Sequence, residues 1–196
     1  MKFQNALMLS CIVLGMAFLS ACGDDEPEVE NVEEVITNVT LTFTPADGGT
    51  AVTATATDPD GEGSQGLAVD GAITLAAGTS YTLSVELFNS IENEDITEEI
   101  MEEDDEHQFF FAWTDGSFAT PMGDGNIDTA SDPVSYNDTD DNSLPVGLST
   151  NWITGDAVSG SSFRVVLKHQ PDIKTATSTA NDGESDIDIS WTLNVQ

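Results

Sequence analysis

The sequence predicts an all-β protein, an antiparallel β-sandwich with one short acidic helix. Three observations predict it. Apolar residues alternate with polar ones at period two in several separate stretches. Clusters of Asp, Asn, Gly and Pro punctuate those stretches at short spacing. Strand and helix patterns do not alternate, as they would in a parallel α/β fold. An immunoglobulin-like Greek key is the favoured topology, with a jelly roll or closed barrel as runner-up.

In chain order, Val39, Leu41 and Phe43 alternate with Thr40 and Thr42 and read as a half-buried strand. Residues 51–57 alternate Ala and Val with Thr, a weaker strand that ends at the turn residues from Asp58 to Gly63. Ala72 to Leu75 is a short apolar piece; Tyr81, Leu83, Val85 and Leu87 give a clear strand. Asp95-Ile96-Thr97-Glu98 opens the one helical pattern, with Ile96, Ile100 and Met101 as its apolar stripe. Glu98/Glu102, Glu99/Glu103 and Glu102/Glu106 are like-charge pairs at i,i+4, so this helix is expected to be short and to fray. Residues 107–113 form an aromatic strand in which Phe109, Phe110 and Phe111 occupy both faces, which predicts a central strand covered on both sides, or one exposed Phe. Phe163, Val165 and Leu167 alternate with Arg164, Val166 and Lys168. Ile187, Ile189, Trp191, Leu193 and Val195 close the chain with the strongest alternation of all.

Composition narrows the function. The 196 residues carry 36 Asp+Glu against 4 Lys+Arg, a formal net charge of -32. Nucleic-acid binding is excluded as an expectation, because phosphate would be repelled where such proteins neutralise it. Docking on anionic lipid fails for the same reason. At 39% hydrophobic residues, the chain has enough apolar surface to build a core.

The N-terminus carries an address. Lys2 precedes a mostly apolar run, residues 6–19, which is short for a membrane span of about 20 residues and has the flanks of a secretory leader. It ends in Leu19-Ser20-Ala21-Cys22, which resembles a bacterial lipobox, so residues 1–21 are expected to be a signal peptide and Cys22 a lipidated N-terminus. Gly23-Asp24-Asp25-Glu26-Pro27-Glu28 resembles the acidic tag that directs lipoproteins to the outer-membrane surface in one Gram-negative lineage. Residues 22–34 read as lipid attachment and mobile acidic tether, and 35–196 as the sandwich domain. Removing residues 1–21 leaves Arg164, Lys168 and Lys174 as the basic residues. It also takes away Cys11, so Cys22 has no partner for an intramolecular disulfide.

The chain resembles small surface lipoproteins of Gram-negative bacteria. The resemblance is carried by the lipobox and tag, by Val39-Thr40-Leu41-Thr42-Phe43-Thr44-Pro45, by Asp95 to Ile100, by Glu106 to Phe111, by Tyr136 to Asp140, by Lys168-His169-Gln170-Pro171 and by the closing strand. Some such sequences are described as type 1 periplasmic-binding folds. That fold needs parallel βαβ units in two lobes, which this sequence lacks. The resemblance implies a lipoprotein and transfers no activity.

The chemistry-bearing residues are few. Asp58, Asp60 and Glu62, and again Asp124, Asn126 and Asp128, place oxygens at alternate positions on Gly-containing turns, a spacing that lets them converge on calcium. A third cluster comprises Asn137, Asp138, Asp140, Asp141 and Asn142. None is an EF-hand: the twelfth position from Asp124 is Ser135, where a bidentate Glu is required. Turn formation and solvation are the favoured reading of the same residues. The two histidines, His107 and His169, share parity with core positions of their strands; structural or strand-end roles are the favoured reading, and a transition-metal site using both with Glu106 or Asp105 is the alternative. Trp191 is expected in the core, and Trp152, beside Asn151, is the better candidate for exposure and ligand binding, with core packing the favoured use of all three tryptophans. The sequence holds no Gly-x-Ser-x-Gly elbow, His-Glu-x-x-His pair or Walker loop. The expectation is therefore a lipid-anchored, outer-membrane or surface module that binds an outer-membrane receptor or extracellular ligand without catalysis. A calcium-stabilised adhesion domain and a hydrolase with an unrecognised site are the alternatives, and a periplasm-facing anchor is the alternative location.

Overall fold

A computed structural model describes residues 34–61 and 66–196. The leader, Cys22, most of the acidic tether and Glu62 lie outside the described residues. From Glu34 onward the elements are β1 (Asn38–Pro45), β2 (Val52–Thr57), β3 (Ala68–Asp70), β4 (Ala72–Leu75), β5 (Ser80–Phe88), α1 (Ile96–Glu102), β6 (His107–Trp113), β7 (Phe118–Thr120), β8 (Ser135–Tyr136), β9 (Ser149–Thr154), β10 (Val158–His169) and β11 (Glu184–Val195). Two sheets form an all-β sandwich and neither closes into a barrel.

One sheet runs β3-β2-β1-β5-β9-β7, with β8 also paired to β9; the other runs β4-β11-β10-β6. Setting aside the β2–β3 extension and the short β4 and β8, the strands stand in the order first, second, fifth, fourth in one sheet and third, sixth, seventh in the other. That is the immunoglobulin-type Greek key. All pairings are antiparallel except β4 with β11.

Alternation does the sorting, as period two requires. Along β1 the buried Val39, Leu41 and Phe43 face the core, and along β5 Tyr81, Leu83, Val85 and Leu87 do the same. From the opposite sheet come Phe109, Phe111, Trp113, Phe163, Val165, Leu167, Ile187, Ile189, Trp191, Leu193 and Val195. Aromatic rings bridge the two sheets: Phe43 meets Phe163 edge-on at 5.7 Å, and Trp152 meets Trp113 at 5.0 Å and Phe163 at 5.3 Å. Such pairs each contribute about 0.5–1.5 kcal/mol beyond the area they bury.

Two expectations about the core need correction. Strand β6 is not central: it is the last strand in its sheet's pairing order, yet Phe109, Phe110 and Phe111 are all fully buried. Its outer edge is occupied by irregular chain: the Trp113 amide donates to Asp124 O at 3.0 Å, the Asn126 amide to Phe111 O at 3.0 Å and the Phe109 amide to Val146 O at 2.7 Å. Gly125 makes the close approach possible, with φ +108° and an added Cβ only 2.0 Å from Phe111 O. An exposed edge is a template for aggregation, and here loop backbone fills it.

Trp152 is the second correction. It is 1% exposed, at the centre of the aromatic cluster rather than on the surface. Its strand β9 turns Thr150, Trp152 and Thr154 inward and Asn151 and Ile153 outward. The buried threonines stay satisfied: Trp152 Nε1 donates to Thr150 Oγ1 at 2.7 Å, and Thr154 Oγ1 donates to Ala76 O at 2.6 Å. Trp191, by contrast, is buried as its parity requires, and its Nε1 donates across to Thr55 O at 3.3 Å.

The helix is seven residues long. Asp95 caps it by accepting from the Thr97 amide at 3.0 Å. Ile96 and Ile100 are buried while Met101 is 62% exposed, so the apolar stripe has two members instead of three. Thr97 Oγ1 locks the helix to β5 by accepting from Leu87 N and donating to Leu87 O.

Candidate functional site

The antiparallel register of β6 with β10 pairs Phe111 with Val165, Phe109 with Leu167 and, at the end, His107 with His169. Both histidines therefore continue the inward-facing row of their sheet. His107 is fully buried and His169 is 4% exposed. Their rings stack with centroids 4.4 Å apart and planes 10° from parallel. Residues 62 positions apart become one site because a strand register aligns them.

Each ring has one nitrogen engaged. His107 Nδ1 lies 3.1 Å from the Glu103 carbonyl; a carbonyl only accepts, so Nδ1 carries the proton and Nε2 is bare in the neutral ring. His169 Nε2 lies 3.0 Å from Glu106 Oε2, which leaves Nδ1 bare in the same way. Glu34 Oε1 sits 3.3 Å from His107 Nε2. His169 Nδ1 and Glu34 Oε2 are buried without a hydrogen-bond partner. One donor atom each from Glu34, Glu103, His107 and His169 falls within 4.8 Å of the others. Glu103 is exposed and marks the solvent side of the cluster.

The electrostatics follow from this crowding. Burial by itself would lower His107, but the Glu34 carboxylate outweighs it, and the imidazole is held above its ordinary value. Burial would raise Glu34, yet His107 outweighs that in turn and leaves the carboxyl below the usual range. Glu99 is pushed up to about 7, first by burial and then by its hydrogen bond to Glu94 and the charges of Glu94, Glu34 and Glu103. The ensemble can hold a proton between Glu34 and His107, or present two imidazole lone pairs and carboxylate oxygens to a cation.

Sequence reasoning paired the histidines with Glu106 or Asp105. The structure assigns Glu106 to the far side of His169 and brings in Glu34, which its sequence position places at the end of the tether. No local pattern marks Glu34 among so many acids.

The acidic turns are used differently. Asp58 is 6% exposed, and its Oδ1 accepts from the Asp60 and Gly61 amides, both at 3.1 Å. Asn126 Oδ1 accepts from Phe111 N at 3.0 Å and its Nδ2 donates to Tyr136 Oη at 2.8 Å, so this member of the second calcium set is occupied in fixing loop to strand. Asp124 and Asp128 are exposed on either side of it. In the third cluster, Asp138 accepts from the amides of Gly147, Leu148 and Ser149. Asp140 Oδ1 accepts from Asn142 and Leu144, and its Oδ2 lies 3.1 Å from Lys174 Nζ. These acids staple loops.

All three basic residues downstream of Cys22 are engaged as well. Arg164 grips Asp188 through two bonds of 2.7 Å, Lys168 donates to Ser185 Oγ at 2.8 Å, and Lys174 serves Asp140.

No helix among the described residues is long and apolar enough to cross a membrane. No family model, curated protein or solved structure matches the chain.

Proposed function

We propose that the protein is a lipid-anchored outer-membrane or cell-surface lipoprotein whose β-sandwich acts as a non-catalytic binding or interaction module. The observation that carries this reading is Leu19-Ser20-Ala21-Cys22 at the end of an apolar leader, followed by an acidic tether and a single immunoglobulin-type domain. The lipid on Cys22 supplies attachment that the domain itself does not: a net charge of -32 repels anionic headgroups. A sandwich of this topology gathers its loops at two ends, where a receptor or extracellular ligand meets them.

The test is membrane attachment. Cys22→Ala should yield a soluble or unprocessed species, and detergent partitioning identical to the parent protein would end the lipoprotein reading. Replacing Asp24, Asp25 and Glu26 with Ala should reduce cleavage by protease added to whole cells. Unchanged cleavage makes the tag an ordinary linker, and no cleavage of the parent protein places the domain in the periplasm.

A further inference from the structure

We propose that Glu34, His107 and His169, with Glu103 as the fourth donor, bind one divalent transition-metal ion, zinc in the first place. Four observations support the assignment. The first is the set of orphaned atoms. His169 Nδ1 and Glu34 Oε2 are buried without hydrogen-bond partners, a condition that native interiors avoid because each such atom forfeits its hydration, and His107 Nε2 faces the Glu34 carboxylate at 3.3 Å. A protonated His107 paired with Glu34 would satisfy one ring and leave His169 Nδ1 unexplained.

The second is tautomer control. Metal-ligating imidazoles donate their other N–H to a carbonyl or carboxylate, which fixes the ring and leaves the lone pair for the ion. His107 does this to the Glu103 carbonyl and His169 to the Glu106 carboxylate, so both bare nitrogens are prepared in the same sense. The third is distance. Zinc bonds of about 2.0–2.1 Å in a tetrahedron set donor atoms about 3.3 Å apart. His107 Nε2 and Glu34 Oε1 already stand at 3.3 Å, and the four donor atoms lie within 4.8 Å of one another, so coordination requires the side chains, the stacked imidazoles included, to close by up to about 1.5 Å. The fourth is donor chemistry. Calcium and magnesium take oxygen ligands, whereas imidazole with carboxylate suits zinc and its transition-metal neighbours.

Glu34 lies four residues before β1, while the histidines belong to β6 and β10. A bound ion would tie the segment leading into the domain to the end of the second sheet. Binding should therefore raise the melting temperature as well as show a stoichiometry.

The experiment uses the untagged full-length protein, purified in detergent and stripped with EDTA, in about 1 M sodium chloride, where the Debye length is about 3 Å and diffuse binding to 36 acids is screened. Zinc is titrated by calorimetry, cobalt(II) by visible absorption, and calcium and magnesium serve as controls. The expected result is one zinc per chain, a tetrahedral cobalt spectrum, and a rise in melting temperature with zinc that calcium and magnesium do not give. Glu34→Gln and His169→Gln should each weaken zinc at least tenfold, and Glu106→Ala, which removes only the support of His169, by about 10–100-fold. Asp58→Asn and Asp124→Asn should leave zinc affinity unchanged. Should a histidine variant fail to fold, the parent protein still answers: it contains two histidines, and both imidazole resonances should shift together at one equivalent of zinc. Absence of stoichiometric binding, affinity unaltered by Glu34→Gln, or histidine resonances that do not move would each overturn the site. Loss of membrane attachment in Cys22→Ala bears on the anchor alone and leaves this result independent.

Discussion

Lys174→Met should be among the most damaging substitutions at a charged residue of this protein. Lys174 Nζ sits 3.1 Å from Asp140 Oδ2 with the two side chains 1% and 0% exposed, and it also donates to the Asp104 carbonyl at 2.5 Å. Removing one partner of a buried pair leaves an uncompensated charge, at a cost of about 3–5 kcal/mol. The Asn142 and Leu144 amides continue to hold Asp140 Oδ1, which argues for the lower end, about 3 kcal/mol. For a domain of this size each kcal/mol moves the melting temperature about 2–4 °C, so a fall of roughly 6–12 °C is expected. Burial tends to raise Asp140, but the Leu144 amide and Lys174 outweigh it and keep the carboxyl below its ordinary value. Its contribution is therefore present above about pH 3.9 and is lost as pH falls through the folded value. The gap between parent and variant should narrow on acidification. Adding Asp140→Asn to Lys174→Met should recover stability by neutralising the stranded carboxylate. Thermal melting followed by tryptophan fluorescence measures all of this. A variant within about 2 °C of the parent, or a double variant no better than Lys174→Met, would refute the buried-pair argument.

Trp152→Ala should cost about 3–5 kcal/mol, because the ring fills the centre of the core; a melting temperature equal to the parent's would restore the surface reading of this tryptophan. Glu99→Gln tests the raised carboxyl beside the histidine cluster. A folded pKa of about 7 against an ordinary 4.5 means that the folded state holds the proton more tightly, so stability is full below about pH 4.5 and declines as pH rises through 7. The glutamine should flatten that decline and melt higher than the parent at alkaline pH. In metal-free protein His107 adds to the fall above about pH 6.5, its contribution being lost as pH rises through its own raised value under the influence of Glu34, the Glu103 carbonyl and Asp186. Parallel pH profiles for parent and Glu99→Gln would sink the assignment.

Strands with strong alternation were legible before any coordinates. Asn38–Pro45, Ser80–Phe88 and Glu184–Val195 each carry an apolar row at period two, and a residue's side is set by the pleat alone. Strand β9 was not legible. Its buried row is Thr150, Trp152 and Thr154, and its outward row includes Ile153, so polarity does not report the face. The Thr154 hydroxyl is made acceptable by partners 75 or more residues away, Thr79 and Ala76, and the Thr150 hydroxyl by the indole of Trp152, which has to be buried beside it. The place of β6 at the end of its sheet was hidden for a similar reason, since what covers its edge is loop backbone, and backbone has no hydropathy.

The sequence by itself determined the all-β class, the inward row of each strongly alternating strand, the short capped helix and a formal net charge of -32. Those are properties of periodicity and composition, which act locally or as sums. The tertiary structure alone decided which acids pair and which face a histidine. Among 36 carboxylates any choice of partner is open on paper. Strand register brings His107 to His169 and the approach to β1 brings Glu34 beside them, while the loop after β10 carries Lys174 to Asp140. Contacts between residues far apart in the chain depend on register and loop path, and neither is written in any local pattern.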